Sequence, residues 1–245
     1  MANGRSERLA AENDPLAPVA DLLAEREAGL GGPALVGLAG PVGVGKSTIS
    51  RRLVELLDRR HGLGGAVVAT DGFLLPNAEL LRRGLTDRKG FPESYDLDAI
   101  HRFVDSVRAG DEAVDVPVYD HLFYDVQAER RRVPPAAVVV FEGVNALHVA
   151  DRLDLGVYVD AAEPDVRRWF VTRVLELRDQ AAGVPGAYLA PFANAPDEVV
   201  AAMAEGVWEA INLPNLRQAI EPTRERADVV VVKGPDHRVV EVRAR

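Results

Sequence analysis

The sequence predicts an α/β fold in which helices cover both faces of a mostly parallel sheet, and three observations predict it. Four short, continuous apolar runs, Ala34 to Ala39, Ala66 to Thr70, Ala136 to Phe141 and Val157 to Val159, have the length and composition of strands buried on both faces. Helical stretches intervene, as the crossovers of a parallel sheet require. A glycine-rich segment, Gly40 to Ser47, joins the first run to the first crossover helix. The expected architecture is a three-layer α/β/α sandwich.

Asp14-Pro15 has the form of an N-cap followed by proline at the first helical position, and Leu16, Val19, Leu22 and Leu23 carry an amphipathic helix to Gly29. Gly31-Gly32-Pro33 turns the chain into the first strand. Beyond the glycine-rich segment, Ile49, Leu53, Leu56 and Leu57 have helical spacing, and Gly62 to Gly65 separate that helix from the second strand. A helix spans Leu97 to Ala109, and the Pro- and Tyr-containing segment Val116 to Asp125 reads as a loop. The third and fourth strands follow. Glu163-Pro164 opens a long arginine-dotted helix to about Gln180, and Ala181 to Ala195, rich in Gly, Pro and Ala, reads as a loop or lid. A final helix and a strand pair, Asp228 to Val232 and His237 to Val242, complete the sheet. Residues 1–32 then form a tail and helix ahead of one domain over 33–245.

Composition narrows the partners. The net charge of −9 excludes the net positive face that sequence-independent binding to nucleic acid requires, so a small metabolite is the expected partner. The chain contains no cysteine, which removes thiol nucleophiles, disulfides and thiolate metal sites. The start, Met1 to Asp14, is polar without an apolar leader, and no apolar run approaches membrane-spanning length, so the cytoplasm is the expected compartment. Lysine occurs only at positions 46, 89 and 233, with arginine elsewhere, which singles out each lysine.

Gly40-Pro41-Val42-Gly43-Val44-Gly45-Lys46-Ser47 matches G-x-x-x-x-G-K-[ST]. In that pattern, backbone N–H groups wrap a polyphosphate, the lysine reaches its outer phosphates and the serine hydroxyl ligates Mg²⁺. Placed between a buried strand and a helix N-terminus, with Thr48 continuing it, the segment is an ATP-phosphate loop, and the fold is that of the P-loop NTPases. The chain has neither the N-K-x-D guanine-reading motif nor an L-S-G-G-Q-like segment. A kinase needs an acceptor site and a carboxylate to orient or accept the hydroxyl proton. Asp71, in Thr70-Asp71-Gly72-Phe73, ends the strand expected beside that of the phosphate loop and meets this need; the alternative is a plain Asp-Gly turn. Glu142 stands where such enzymes keep an acid that holds Mg²⁺, with a helix-capping role as its alternative and Asp160 as a competitor.

With these residues quoted, the chain resembles bacterial type I pantothenate kinases, within the phosphoribulokinase and uridine kinase group. The most specific stretches are Thr70 to Leu74, Arg88 to Asp96, Val118-Tyr119-Asp120-His121-Leu122, Glu142-Gly143-Val144-Asn145, Ile211 to Leu216 and Pro222 to Ala227. The resemblance, from about Leu35 to the C-terminus, implies ATP-dependent phosphorylation of the primary hydroxyl of pantothenate, toward coenzyme A. It implies Asp71 as the catalytic acid/base, Lys46 and Arg173 stabilising the transferring phosphoryl group, and Ser47 and Glu142 around Mg²⁺. It places Tyr119, His121, Tyr124 and Asn212 around the acceptor, Arg51 against ATP and the feedback inhibitor coenzyme A, and suggests a homodimer.

Alternatives stand beside these assignments: His121 and Tyr124 as satisfied polar groups in a loop core, Asn212 as a helix-end cap, and the helix arginines as a solvated face. Lys89 reads either as a point charge at the site or as a structural residue. The family pattern has tyrosine where this chain has Phe170, and phenylalanines where it has Val174, Leu177 and Ala182. The lid reads Ala187-Tyr188-Leu189 where Ser-Tyr-Phe is expected. A related kinase acting on a nucleoside or sugar, and a nucleotide-binding regulator without turnover, are the competing readings.

Overall fold

The computed structural model describes residues 14–245. The polar stretch before them, read above as a tail without a leader, lies outside the described residues. Six helices carry the labels used below: α1 (Ala17–Ala28), α2 (Lys46–His61), α3 (Asn77–Arg83), α4 (Leu97–Ala109), α5 (Glu163–Ala181) and α6 (Asp197–Val207). The strands are β1 (Ala34–Ala39), β2 (Gly65–Ala69), β3 (Val114–Asp120), β4 (Asp125–Val133), β5 (Val138–Glu142), β6 (Leu155–Asp160), β7 (Val229–Lys233) and β8 (Val239–Ala244).

The main sheet has the order β2-β5-β1-β6-β7-β8, parallel except for β8, and helices flank it as expected. The central strands β1, β5 and β6 are buried along nearly their whole length, which is why they read as unbroken apolar runs. On α2, Ile49, Leu53, Leu56 and Leu57 are buried against the sheet. Asp14 accepts from the Leu16 N–H at 2.8 Å, and α1 starts two residues later than its Asp-Pro signal suggests. On α4, Phe103 meets Phe141 of β5 and Phe73, with ring centroids 5.4 to 5.7 Å apart.

Two expectations are corrected. The segment Val116 to Asp125 is no loop: β3 and β4 form an antiparallel hairpin with its own two-stranded sheet. Pro117 within β3 and the charged run Glu129 to Arg132 within β4 hide it, because each cuts short the alternation of apolar and polar residues before it spans a strand. The strand preceding Asp71 is also not the neighbour of β1. β5 inserts between them, in register with both, so that Glu142 lies level with Leu38 of β1 and Ala69 of β2. β2 is therefore an edge strand, and Arg131 of the hairpin donates to its Val67 carbonyl at 2.7 Å.

α6 does not stop where a proline would break it. Helical backbone continues through Trp208–Asn212, Leu213–Asn215 and Leu216–Ile220, with wider i→i−5 turns on both sides of Pro214. Asn212 is thus inside a continuous helical stretch, and the helix-end cap reading is excluded.

Candidate active site

The phosphate loop follows from β1 as its sequence demands. Gly40 has φ +150°, and a Cβ there would lie 2.5 Å from the Val159 carbonyl of β6, so only glycine lets β1 and β6 stay paired at that level. Gly45, the N-cap of α2, has φ +88° and lies against Lys233, whose Nζ would be 2.8 Å from an added Cβ. The first N–H groups of α2 therefore open onto the loop.

Lys46 is buried and folded back over the loop, its Nζ donating to the carbonyls of Pro41 at 2.8 Å and Gly40 at 3.1 Å. Burial lowers its pKa, and the nearby carboxylates of Glu142 and Asp71 oppose that shift. Ser47 Oγ donates to Glu142 Oε1 at 2.7 Å. Burial raises the pKa of Glu142, with Lys46 and Ser47 acting the other way. The alternative acid, Asp160, is engaged by Arg224 at 3.0 Å, which leaves Glu142 as the carboxylate beside the loop hydroxyl. Thr48 and Arg51 are exposed on the first turns of α2.

Asp71 lies in a 3₁₀ turn, Thr70–Phe73, just past β2. It lines a cavity of about 140 Å³ with Gly72, Pro117, Tyr119, His121 and Arg131 among its walls. Tyr119 packs edge-on against His121 at 5.1 Å and against Tyr124 at 6.3 Å. His121 and Tyr124 are exposed, so neither is a polar group satisfied in a loop core. Tyr124 has φ +54°, a left-handed conformation rare outside glycine and frequent at functional sites. From the lid, Tyr188 stacks on Tyr124 at 4.8 Å and donates its backbone N–H to the Leu122 carbonyl.

Lys89 enters the same cluster. Its Nζ donates to Asn77 Oδ1 and to the Tyr124 carbonyl, both at 2.6 Å, and lies 3.8 Å from the Tyr124 ring centroid and 5.0 Å from that of Tyr119. Burial pulls it down to about 8, against the pull of Asp125 and Asp71.

On α5, Phe170 presses its backbone onto Gly43 of the phosphate loop, and its ring lies 6.0 Å from Trp208. Arg173 stands one turn further along the exposed side of the helix and faces Glu176 at 3.4 Å. Arg167 pairs with Glu205, in keeping with a solvated arginine face, but Arg178 is buried and holds Asp197 at 2.6 Å and the Ala195 carbonyl at 3.0 Å, which fastens the end of the lid. Asn212 is half-buried in the helical stretch beyond α6.

Sequence reasoning missed one group. Lys233 of β7 donates to the Val44 carbonyl at 2.8 Å and to His237 Nδ1 at 2.9 Å, and His237 stacks on Trp169 at 3.6 Å. The rarity of lysine was the available signal. Only the strand order, which sets β7 two places from β1, brings Lys233 to the loop. Among the described residues no three His, Cys, Asp or Glu side chains cluster as a metal cage, and no helix is long and apolar enough to cross a membrane.

Known proteins resemble this chain in sequence and in fold. The Phosphoribulokinase / Uridine kinase family matches residues 35–169. The chain is 47% identical over 221 residues to a pantothenate kinase of Corynebacterium glutamicum, covering 87% of this chain and 71% of that protein. It is 43% identical over 228 residues to a pantothenate kinase of Rhizobium rhizogenes, covering 87% and 69%. Among solved structures, a candidate fructose transport system kinase from Silicibacter sp. TM1040 superposes with TM-score 0.69 and 28% identity over 84% of this chain and 94% of that one. The D-glycerate 3-kinase of Cryptococcus neoformans var. grubii, at TM-score 0.67 and 16% identity over 93% and 98%, shares the fold.

Proposed function

The chain belongs to the phosphoribulokinase/uridine kinase family, and from that premise we propose that it transfers the γ-phosphoryl group of ATP to the primary hydroxyl of pantothenate. It is an ATP-dependent kinase. The observation that carries the reading is the meeting of two half-sites: the phosphate loop with Lys46, and an aromatic-walled cavity that Asp71 lines, both carboxylates acting on Lys46. The curated relatives name the acceptor.

In this reading the loop N–H groups and Lys46 hold the β- and γ-phosphates, Lys46 exchanging its carbonyl partners for phosphate oxygens. Asp71 orients the acceptor hydroxyl and accepts its proton as the new P–O bond forms and the bond to ADP breaks. The products are ADP and 4'-phosphopantothenate. Arg173, one turn beyond Phe170 on α5, would exchange Glu176 for the transferring group, and Thr48 and Arg51 would flank the nucleotide. The Trp169–His237 stack beside Gly45 offers the adenine an aromatic face.

Ser47 Oγ and Glu142 present adjacent hard oxygen donors, which suits Mg²⁺, an ion usually held by one or two carboxylates together with substrate phosphates. Ser47 and Glu142 are the residues that would hold it, and it would neutralise charge on the β- and γ-oxygens. Tyr119, His121, Tyr124, Phe170 and Asn212 surround the acceptor. A cytoplasmic enzyme of coenzyme A synthesis, working as a homodimer, fits these properties.

The deciding experiment incubates the protein with ATP, Mg²⁺ and separate samples of pantothenate, pantetheine, nucleosides and sugars, with products identified by mass spectrometry. Phosphopantothenate is the expected product. Turnover of a nucleoside or sugar alone would sink the assignment and favour the reading that Phe170, without a phenolic hydroxyl, serves a different alcohol.

A further inference from the structure

Both backbone polar groups of Gly90 are hydrogen-bonded to side chains. Its N–H donates to Ser94 Oγ at 2.9 Å, and Ser94 Oγ in turn donates to the Phe91 carbonyl at 2.7 Å. Its carbonyl accepts from two buried amides, Asn145 Nδ2 at 2.7 Å and Asn215 Nδ2 at 2.9 Å. Gly90 has φ +89°, which only glycine adopts without strain.

The two amides come from distant parts of the chain. Asn145 is three residues beyond Glu142, at the exit of β5; Asn215 is three residues beyond Asn212, in the helical stretch that follows α6. Each leaves its Oδ1 buried with no partner among the described residues. Turning either amide over would set oxygen against the Gly90 carbonyl, so the orientation is forced and the orphaned oxygens are its cost. Buried unmatched groups are costly, and proteins keep them chiefly where function requires it.

The residue before Gly90 is Lys89, whose ammonium reaches into the hairpin through Asn77 and the Tyr124 carbonyl. We propose that Asn145 and Asn215 are positioning residues that clamp the Gly90 carbonyl and thereby hold Lys89 over the Tyr119 and Tyr124 rings, facing the acceptor. The clamp ties the acceptor-side cation to the strand carrying Glu142 and to the helix carrying Asn212, so both halves of the site share one rigid reference. This rests on the reading that Lys89, Tyr119 and Tyr124 face the acceptor.

The charged and titratable groups around Lys89 are Asp71 from the turn after β2, and Asp125 and the phenols of Tyr119 and Tyr124 from the hairpin. Its neighbour Arg88 turns away to Glu93 and the Phe91 ring. Released from the clamp, Lys89 becomes hydrated, and its pKa climbs from about 8 toward the ordinary 10.5.

The test compares wild type with Asn145→Leu and Asn215→Leu, using the acceptor that the panel of alcohols identifies. Failure of pantothenate in that panel would count against the proposed substrate, while the clamp is judged on the acceptor found. The expected result is an acceptor KM raised at least about fivefold, an ATP KM within about twofold of wild type, and an alkaline limb of kcat/KM for the acceptor moved upward from about pH 8. In a Lys89→Met background, Asn215→Leu should add less than about twofold. Acceptor and ATP KM rising together, an unmoved alkaline limb, or the full effect persisting without Lys89 would each overturn the proposal. Asn215→Ser, smaller and polar, supplies the same comparison if the leucine variant does not fold.

Discussion

Asp71, in the 3₁₀ turn two residues past the edge strand, comes close enough to Lys46 of the phosphate loop and to Glu142 of β5 for its charge to act on both. Replacing it with asparagine keeps size and polarity while removing the base, so Asp71→Asn should lower kcat by about 10²- to 10⁴-fold. Nucleotide binding should survive. The thermal stabilisation by Mg²⁺ and ADP at 100 times Kd, about 2.7 kcal/mol, should match wild type, and its loss would place Asp71 in nucleotide binding instead.

Lys89 makes a stability prediction whose sign is opposite to that of a salt-bridged lysine. Its folded pKa is lowered to about 8 from 10.5, so between those values the unfolded chain holds more protons and stability rises with pH. Relative to Lys89→Met, wild type should gain about 1–2 kcal/mol between pH 7 and pH 10.5, a figure reduced for solvent screening. Urea unfolding at both pH values measures it; an unchanged difference would mean that Lys89 is fully hydrated. The sequence marks Lys89 by its rarity and by its place in the Arg88 to Asp96 stretch but not by its partner, the carbonyl of Tyr124, a residue with left-handed backbone.

At the level of elements, the hairpin must dock tightly on the turn that carries Asp71. A Cβ on Gly72 would lie 2.2 Å from the Pro117 carbonyl oxygen, a backbone atom that cannot step aside. Gly72→Ala should therefore destabilise the protein by about 1–3 kcal/mol and raise the acceptor KM more than the ATP KM. Equal changes in both constants would show that the hairpin is not part of the acceptor site. The strands that were legible, β1, β5 and β6, are buried on both faces and so carry an apolar signature independent of topology. The hairpin was not legible, since β4 is held by pairing with β3 and not by an apolar face of its own. Strand order was also hidden: sequence adjacency suggests β1 beside β2, and only tertiary packing inserts β5. The phosphate loop, Asp71 and Glu142 nevertheless lie at one end of the sheet, because parallel strands in register bring their carboxyl ends to one level whatever their order.

Across the whole molecule, the lid is a small apolar unit separate from the main core. Val174 and Leu177 of α5 pack with Ala181, Ala187 and Leu189, without the phenylalanines that the resemblance leads one to expect at these positions. With Val174 and Leu177 in place of rings, α5 itself gives a pantetheine tail little to stack on, and coenzyme A should inhibit weakly in assays that vary ATP. Tight, ATP-competitive inhibition would refute this.

The bond from Arg131 to the Val67 carbonyl also bears on how the molecule behaves in a crowded solution. β2 closes one margin of the sheet and β8 the other, and an open margin is a template onto which a foreign strand can grow toward an amyloid-like stack. A guanidinium occupies one carbonyl of the first margin, while Glu241 and Arg243 form an ion pair along the second. An incoming chain would have to displace charged groups before its first ladder bond could form, a barrier to aggregation written into both outer strands.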